Sequence, residues 1–183
     1  MPVVVSAVLD RATVQELLAE LLPVTIDLGD EQHRDRFIEI LPPQLLEFVP
    51  ERGLRVQTGA RLHWTVAGVG VPFTVQSVRL LLTPVVDAAR ERVNLVITLE
   101  DTDLKNVPKA IDRSVVTQLN ARLSARPDAI GWDFGRTLAI SIALPPKMAP
   151  LDRFMLSAGE MQVAIDAESL RIGLTLPMHL IRR

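Results

Sequence analysis

A chain of 183 residues that is 48% apolar and 23% charged has enough hydrophobic material for one real core and too much for disorder. A formal net charge of −2 gives no overall attraction to nucleic acid or to an anionic membrane, and the lack of cysteine removes disulfides, thiol catalysis and Cys-ligated metals. Only 4% of residues are aromatic and none is Tyr, so the interior must be built from Val, Leu, Ile and Ala.

Residues 3–9 read as a first strand, since Val3-Val4-Val5 favours extended backbone. Asp10 and Thr13 are competing helix caps, and Thr13-Val14-Gln15-Glu16 fits a capping box. Val14, Leu17, Leu18, Leu21 and Leu22 then form one apolar stripe, ended by Pro23. Val24–Leu28 alternates as a short strand, and Glu31–Arg36 is a charged connection. Phe37–Leu41 reads as a strand stopped by Pro42-Pro43, and Gln44–Val49 fits either a helical turn or an irregular crossing.

Leu54 to Val66 alternates most cleanly. Leu54, Val56, Ala60, Leu62, Trp64 and Val66 share one face, and Arg55, Gln57, Arg61, His63 and Thr65 share the other. That is the pattern of an antiparallel strand with one wet face. Gly68-Val69-Gly70 turns, and Thr74–Val86 returns with Val78, Leu80 and Leu82 in phase. Val75 and Leu81 are out of phase, which calls for a bulge or a partly covered outer face. Thirteen residues at about 3.3 Å span roughly 43 Å, and antiparallel strands of that length twist and coil.

Val93 to Leu123 changes period. Val93, Leu95, Ile97 and Leu99 alternate; Val107, Ile111, Val115, Leu119 and Leu123 then recur every four residues, with Val116 widening the stripe. A strand therefore runs through Asp101-Thr102-Asp103 into an amphipathic helix starting near Asn106 and ending near Arg126-Pro127. Ile130–Gly135 is a loop or short bend. Leu138–Leu144 alternates as a strand, and Pro145, Pro146 and Pro150 frame a rigid connection. Met161–Ile165 and Leu170–Leu176 form a hairpin, and His179–Arg183 reads as a frayed tail. The whole of residues 1–183 is expected to form one domain.

Motifs for chemistry are missing. His33, His63 and His179 belong to no metal-spaced pair, and Glu100, Asp101 and Asp103 lack the glycine and terminal glutamate of a calcium loop. The serines have no G-x-S-x-G context, and Gly68-Val69-Gly70 is not a phosphate loop. The expected function is non-enzymatic, with no catalytic residue, metal or cofactor. Arg55, Arg61 and Arg79 share a sheet face and offer a modest basic patch. The sharper candidate is an apolar slot between helix and sheet, lined by Leu80, Leu82, Leu95, Ile97, Ile111, Val115, Leu119 and Leu123; its plain counterpart is a filled core of the same residues.

An N-terminal amphipathic helix, long alternating strands, a strand continuing through LEDTDLKNVPKAIDRSVVTQLNARL (residues 99–123) into a long helix, and closing strands resemble the tubular lipid-binding superfamily over residues 10–177. That group includes the bactericidal/permeability-increasing protein domains, the SMP domains of lipid-transfer proteins and small bacterial relatives. The resemblance implies an α+β fold: a long, highly curved antiparallel sheet wrapped around a long amphipathic helix, with a shorter N-terminal helix. It also implies a lipid or fatty-acid-like ligand in an apolar groove. The alternative is a scaffold module with a filled core, acting through sheet edges or as a homodimer. Met1–Ser6 lacks the basic and apolar regions of a signal peptide, and no run reaches the roughly 18 apolar residues of a spanning helix. The sequence as it stands thus reads as soluble and cytoplasmic, or periplasmic if a signal has been removed.

Overall fold

A computed structural model describes residues 2–29, 36–66, 69–102 and 109–182. In chain order, β1 (Pro2–Asp10) leads into α1 (Arg11–Leu21), followed by β2 (Val24–Asp27), β3 (Phe37–Val49), β4 (Gly53–Val66), β5 (Val69–Asp87) and β6 (Arg92–Thr102). Then come α2 (Lys109–Ser124), β7 (Gly131–Asp133), α3 (Phe134–Leu138), β8 (Ile140–Ala143), β9 (Leu151–Leu156), β10 (Met161–Ile165) and β11 (Ser169–Arg182). Strands dominate, all pairings are antiparallel, and the helices are few.

β2 through β7 pair as successive neighbours in one six-stranded sheet that curls into a half-barrel. Its concave face is the one the alternation marks: Leu54, Val56, Ala60 and Leu62 of β4, Leu80 and Leu82 of β5, and Ile97 and Leu99 of β6 are all buried. The out-of-phase residues are explained by register. Thr58 pairs with Val78 but Ala60 pairs with Val75, so β5 carries an extra residue there and Val75 turns inward. Leu81 is also buried, on the outer face opposite Arg55.

Pro42-Pro43 does not end the strand, contrary to the sequence reading, and Gln44–Val49 is neither a helical turn nor an irregular crossing. β3 continues through both prolines to Val49, with its register against β4 shifting around Pro43. Proline removes ladder donors, so nearby carbonyls need another partner. Thr58 supplies it: its hydroxyl, on a fully buried residue, lies 2.6 Å from the Leu41 carbonyl and 3.0 Å from that of Pro42. Thr58→Val keeps the shape and deletes the donor. It is expected to cost about 1–3 kcal/mol in denaturant unfolding, with an unchanged m-value.

The second sheet has the order β1-β11-β9-β8, with β10 also pairing β11. β9 and β10 run along the same edge of β11, bridged by hydrogen bonds from Ser157 N–H to the Pro177 carbonyl and from Gly159 N–H to the Thr175 carbonyl. The tail is therefore a strand to Arg182, not a frayed end, because Leu151–Leu156 (a strand that the sequence pattern hid) pairs with it. Ile130–Gly135 resolves into β7 and the start of α3. Val69 and Gly70, expected in the turn, already belong to β5 and pair with Val66 and Thr65. Gly68, Asp103, residues 31–35 of the charged connection and the expected helix start at Asn106 lie outside the described residues.

Two apolar cores result. The larger joins the concave face of the half-barrel to Val14 and Leu18 of α1, Leu119 and Leu123 of α2, and Ile165 of β10. The smaller gathers Phe134, Ala158, Met161 and Leu174 beneath the second sheet, against Val86 and Val93 at the end of the first. A hydrogen bond from Glu51 N–H to the Ile165 carbonyl ties β10 to the β3–β4 turn.

Candidate functional site

α1 places the candidate site. Asp10 caps it, its carboxylate accepting from Thr13 N–H at 2.9 Å, and this bond lowers the Asp10 pKa. Of the two candidate caps the structure uses Asp10. The helix packs on β3, with Val14 and Leu18 turned to the concave face and Leu17 and Leu21 left exposed. Beside the end of the helix lies a hollow of about 200 Å³. Leu18, Leu21, Leu22 and Val24 form one wall, and Ile40, Val56, Leu80, Leu82 and Leu95 form the floor. The segment Ala129–Gly131 closes the third side. Every lining side chain is aliphatic. Leu21, 61% exposed, marks the mouth.

Of the residues expected to line a slot, Leu80, Leu82 and Leu95 do so. Ile97, Leu119 and Leu123 are buried in the same core without reaching the hollow. The side chains of Ile111 and Val115 lie outside the described residues. α2 packs on β6, and two hydrogen bonds fix it there: Leu99 N–H donates to Asn120 Oδ1 at 2.7 Å, and Asn120 Nδ2 donates to the Leu99 carbonyl at 2.9 Å. The wall opposite the sheet is thus built by α1 and Ala129–Gly131. The α1 stripe was visible in sequence as an apolar face; what it packs against depends on long-range contacts.

The outer face holds a polar concavity of about 380 Å³ between Leu45, Glu47, Arg55, Gln57 and Arg79. Its charges are largely satisfied internally. Arg55 makes a bidentate pair with Glu100, at 2.6 and 3.1 Å, and reaches Glu47 at 3.5 Å. Arg61 pairs with Glu39 directly across the strands at 3.0 Å. Arg55 and Arg61 are therefore laced to carboxylates of the sheet face, while Arg79 acts on Glu100 through its charge. His63 stacks on Phe37, with ring centroids 5.5 Å apart. Among the described residues no group of three His, Asp or Glu side chains is placed to hold a metal, and no helix is long and apolar enough to cross a membrane.

The Arg55 hydrogen bonds hold the Glu100 carboxyl below its ordinary pKa, against the opposing effect of partial burial. A depressed folded pKa means that the pair's contribution is complete above the unfolded glutamate value and is lost as pH falls through the folded one. Glu100→Gln should therefore lower Tm modestly at pH 7, and the difference from wild type should close below about pH 4. Thermal melts across that range check it.

No protein-family model matches the chain, and no curated protein matches it.

Proposed function

We propose that the protein binds, without catalysis, one aliphatic chain of a lipid or another elongated apolar ligand in the hollow between α1 and the half-barrel. The observation that carries this reading is a cavity whose lining side chains are all aliphatic and which opens at an exposed leucine. Its volume is below the roughly 300–1,000 Å³ of drug-sized sites, so it suits one chain and not a whole lipid. At about 30 Å³ per methylene-sized unit, about six methylenes fit. At about 0.8 kcal/mol each they contribute roughly 5 kcal/mol before association costs. The affinity is then modest, and the ligand exchanges readily. This reading also keeps the likeness to the tubular lipid-binding superfamily, with a curled sheet enclosing helices and apolar ligand space between them.

Native mass spectrometry of purified protein and titration with a fluorescent fatty acid test it. Uptake is expected, and Ala129→Phe at the rim should abolish it with little change in Tm. Persistently empty protein with no uptake would count against the proposal. The second reading is an interaction module, favoured by one sheet edge in particular.

A further inference from the structure

We propose that β1 is a self-association edge, pairing antiparallel with β1 of a second copy to join two sheets into one. An unpaired strand edge presents a row of free N–H and C=O groups, and proteins normally blunt it with brevity, charge, proline, bulges or a cover. This fold applies those devices at its other edges. β2 and β8 have four residues each and β7 has three. The part of β3 beyond β2 carries Pro42, Pro43 and Glu47. β6 beyond β7 is covered by the Ile130 carbonyl, which accepts from Leu95 N–H, and by the Asn120 side chain. β10 is tied at its end by Glu51.

β1 carries such devices only at its two ends, Pro2 and Asp10, and none between them. It is nine residues long, pairs with β11 in continuous register without a bulge, and has no charge from Pro2 to Leu9. Among the described residues nothing bonds to its outer edge. Both of its faces are apolar and open: Val4 and Val8 are 71% and 66% exposed on one, Val3 and Val5 40% and 49% on the other. An uncharged edge offers nothing to an acidic or basic partner. It is complementary to itself, because antiparallel pairing about a two-fold axis sets the same valines against each other. About 30 Å of edge, with side chains spanning about 10 Å, buries roughly 300 Å² on each copy and about 600 Å² between the two, the size of a weak and transient contact, so the shared backbone ladder must hold the pair. A weak, concentration-dependent dimer follows. This inference does not depend on ligand binding.

Light scattering across a concentration series is expected to move the mass from 20.2 kDa towards twice that value. Val4→Lys/Val8→Lys should stay monomeric throughout, with unchanged circular dichroism, since both side chains already face solvent. The cysteine-free chain permits a second measurement that leaves the edge nearly intact. Single cysteines at Val4, Ser6 and Val8 should give oxidised dimer concentrated at the position nearest the two-fold axis. A wild-type chain that stays monomeric at about 1 mM overturns the proposal. So does a dimer that survives both lysines and forms no disulfide at any of the three positions.

Discussion

Leu80→Ala is expected to lower the unfolding free energy by about 2–5 kcal/mol and, at the same time, to enlarge the ligand site. Leu80 is 1% exposed at the centre of the concave wall, between Val56 of β4 and Leu99 of β6. Truncation removes apolar burial and leaves a void that neighbouring strands cannot close, because their spacing is fixed by ladders on both sides. The void opens into the hollow, which Leu80 already lines. A filled core and a ligand site therefore give different results. If the hollow takes an aliphatic chain, added fatty acid should restore a large part of the lost Tm, and the preferred chain should lengthen by a few carbons. If the hollow takes nothing, the variant is destabilised to the same degree with or without ligand. Leu46→Ala is the control: Leu46 is fully buried in the same core but does not line the hollow, so ligand should not preferentially rescue it. Calorimetry with and without fatty acids of graded length reads all three outcomes.

How much of this was legible in the chain depended on whether the cause was local. β4 and β6 are stated by alternation, and β1 and α1 by residue type and capping. β3 was not, because the defect at Pro42-Pro43 is local while its remedy, the Thr58 hydroxyl, comes from the next strand. The tail read as frayed because Leu151–Leu156 does not announce itself as a strand; its partner in β11 defines it. The half-site carried by the sheet was readable, since Leu80, Leu82 and Leu95 follow from periodicity. The other wall was not. Two apolar helical stripes compete for one concave face, and periodicity says that each wants cover without saying where. Asn120 illustrates the same limit: it lies off the every-fourth-residue aliphatic stripe and nothing local marks it, yet its side chain bonds α2 to Leu99.

That placement predicts the second large effect. Asn120 presents to Leu99 the donor and acceptor that a neighbouring strand would present, so one side chain substitutes for a missing ladder pair at the open edge of β6. Asn120→Ala removes both bonds and leaves a part-buried N–H and C=O without partners. A loss of about 2–4 kcal/mol is expected, with amide exchange at Leu99 accelerated more than at Ile97. Asn120→Asp separates the two bonds by chemistry. A carboxylate accepts from Leu99 N–H as before, but its other oxygen then meets the Leu99 carbonyl, lone pairs against lone pairs. Only the protonated acid can donate there, so the folded state raises the pKa of the introduced group. The penalty is then full at neutral pH and shrinks as pH falls through that raised value, opposite in sense to the Arg55–Glu100 pair. Melts of Asn120→Asp from pH 7 to pH 4 should converge on wild type while those of Asn120→Ala stay parallel to it. Parallel curves for both variants would mean that α2 is held by Leu119 and Leu123 alone and that the edge of β6 needs no clamp.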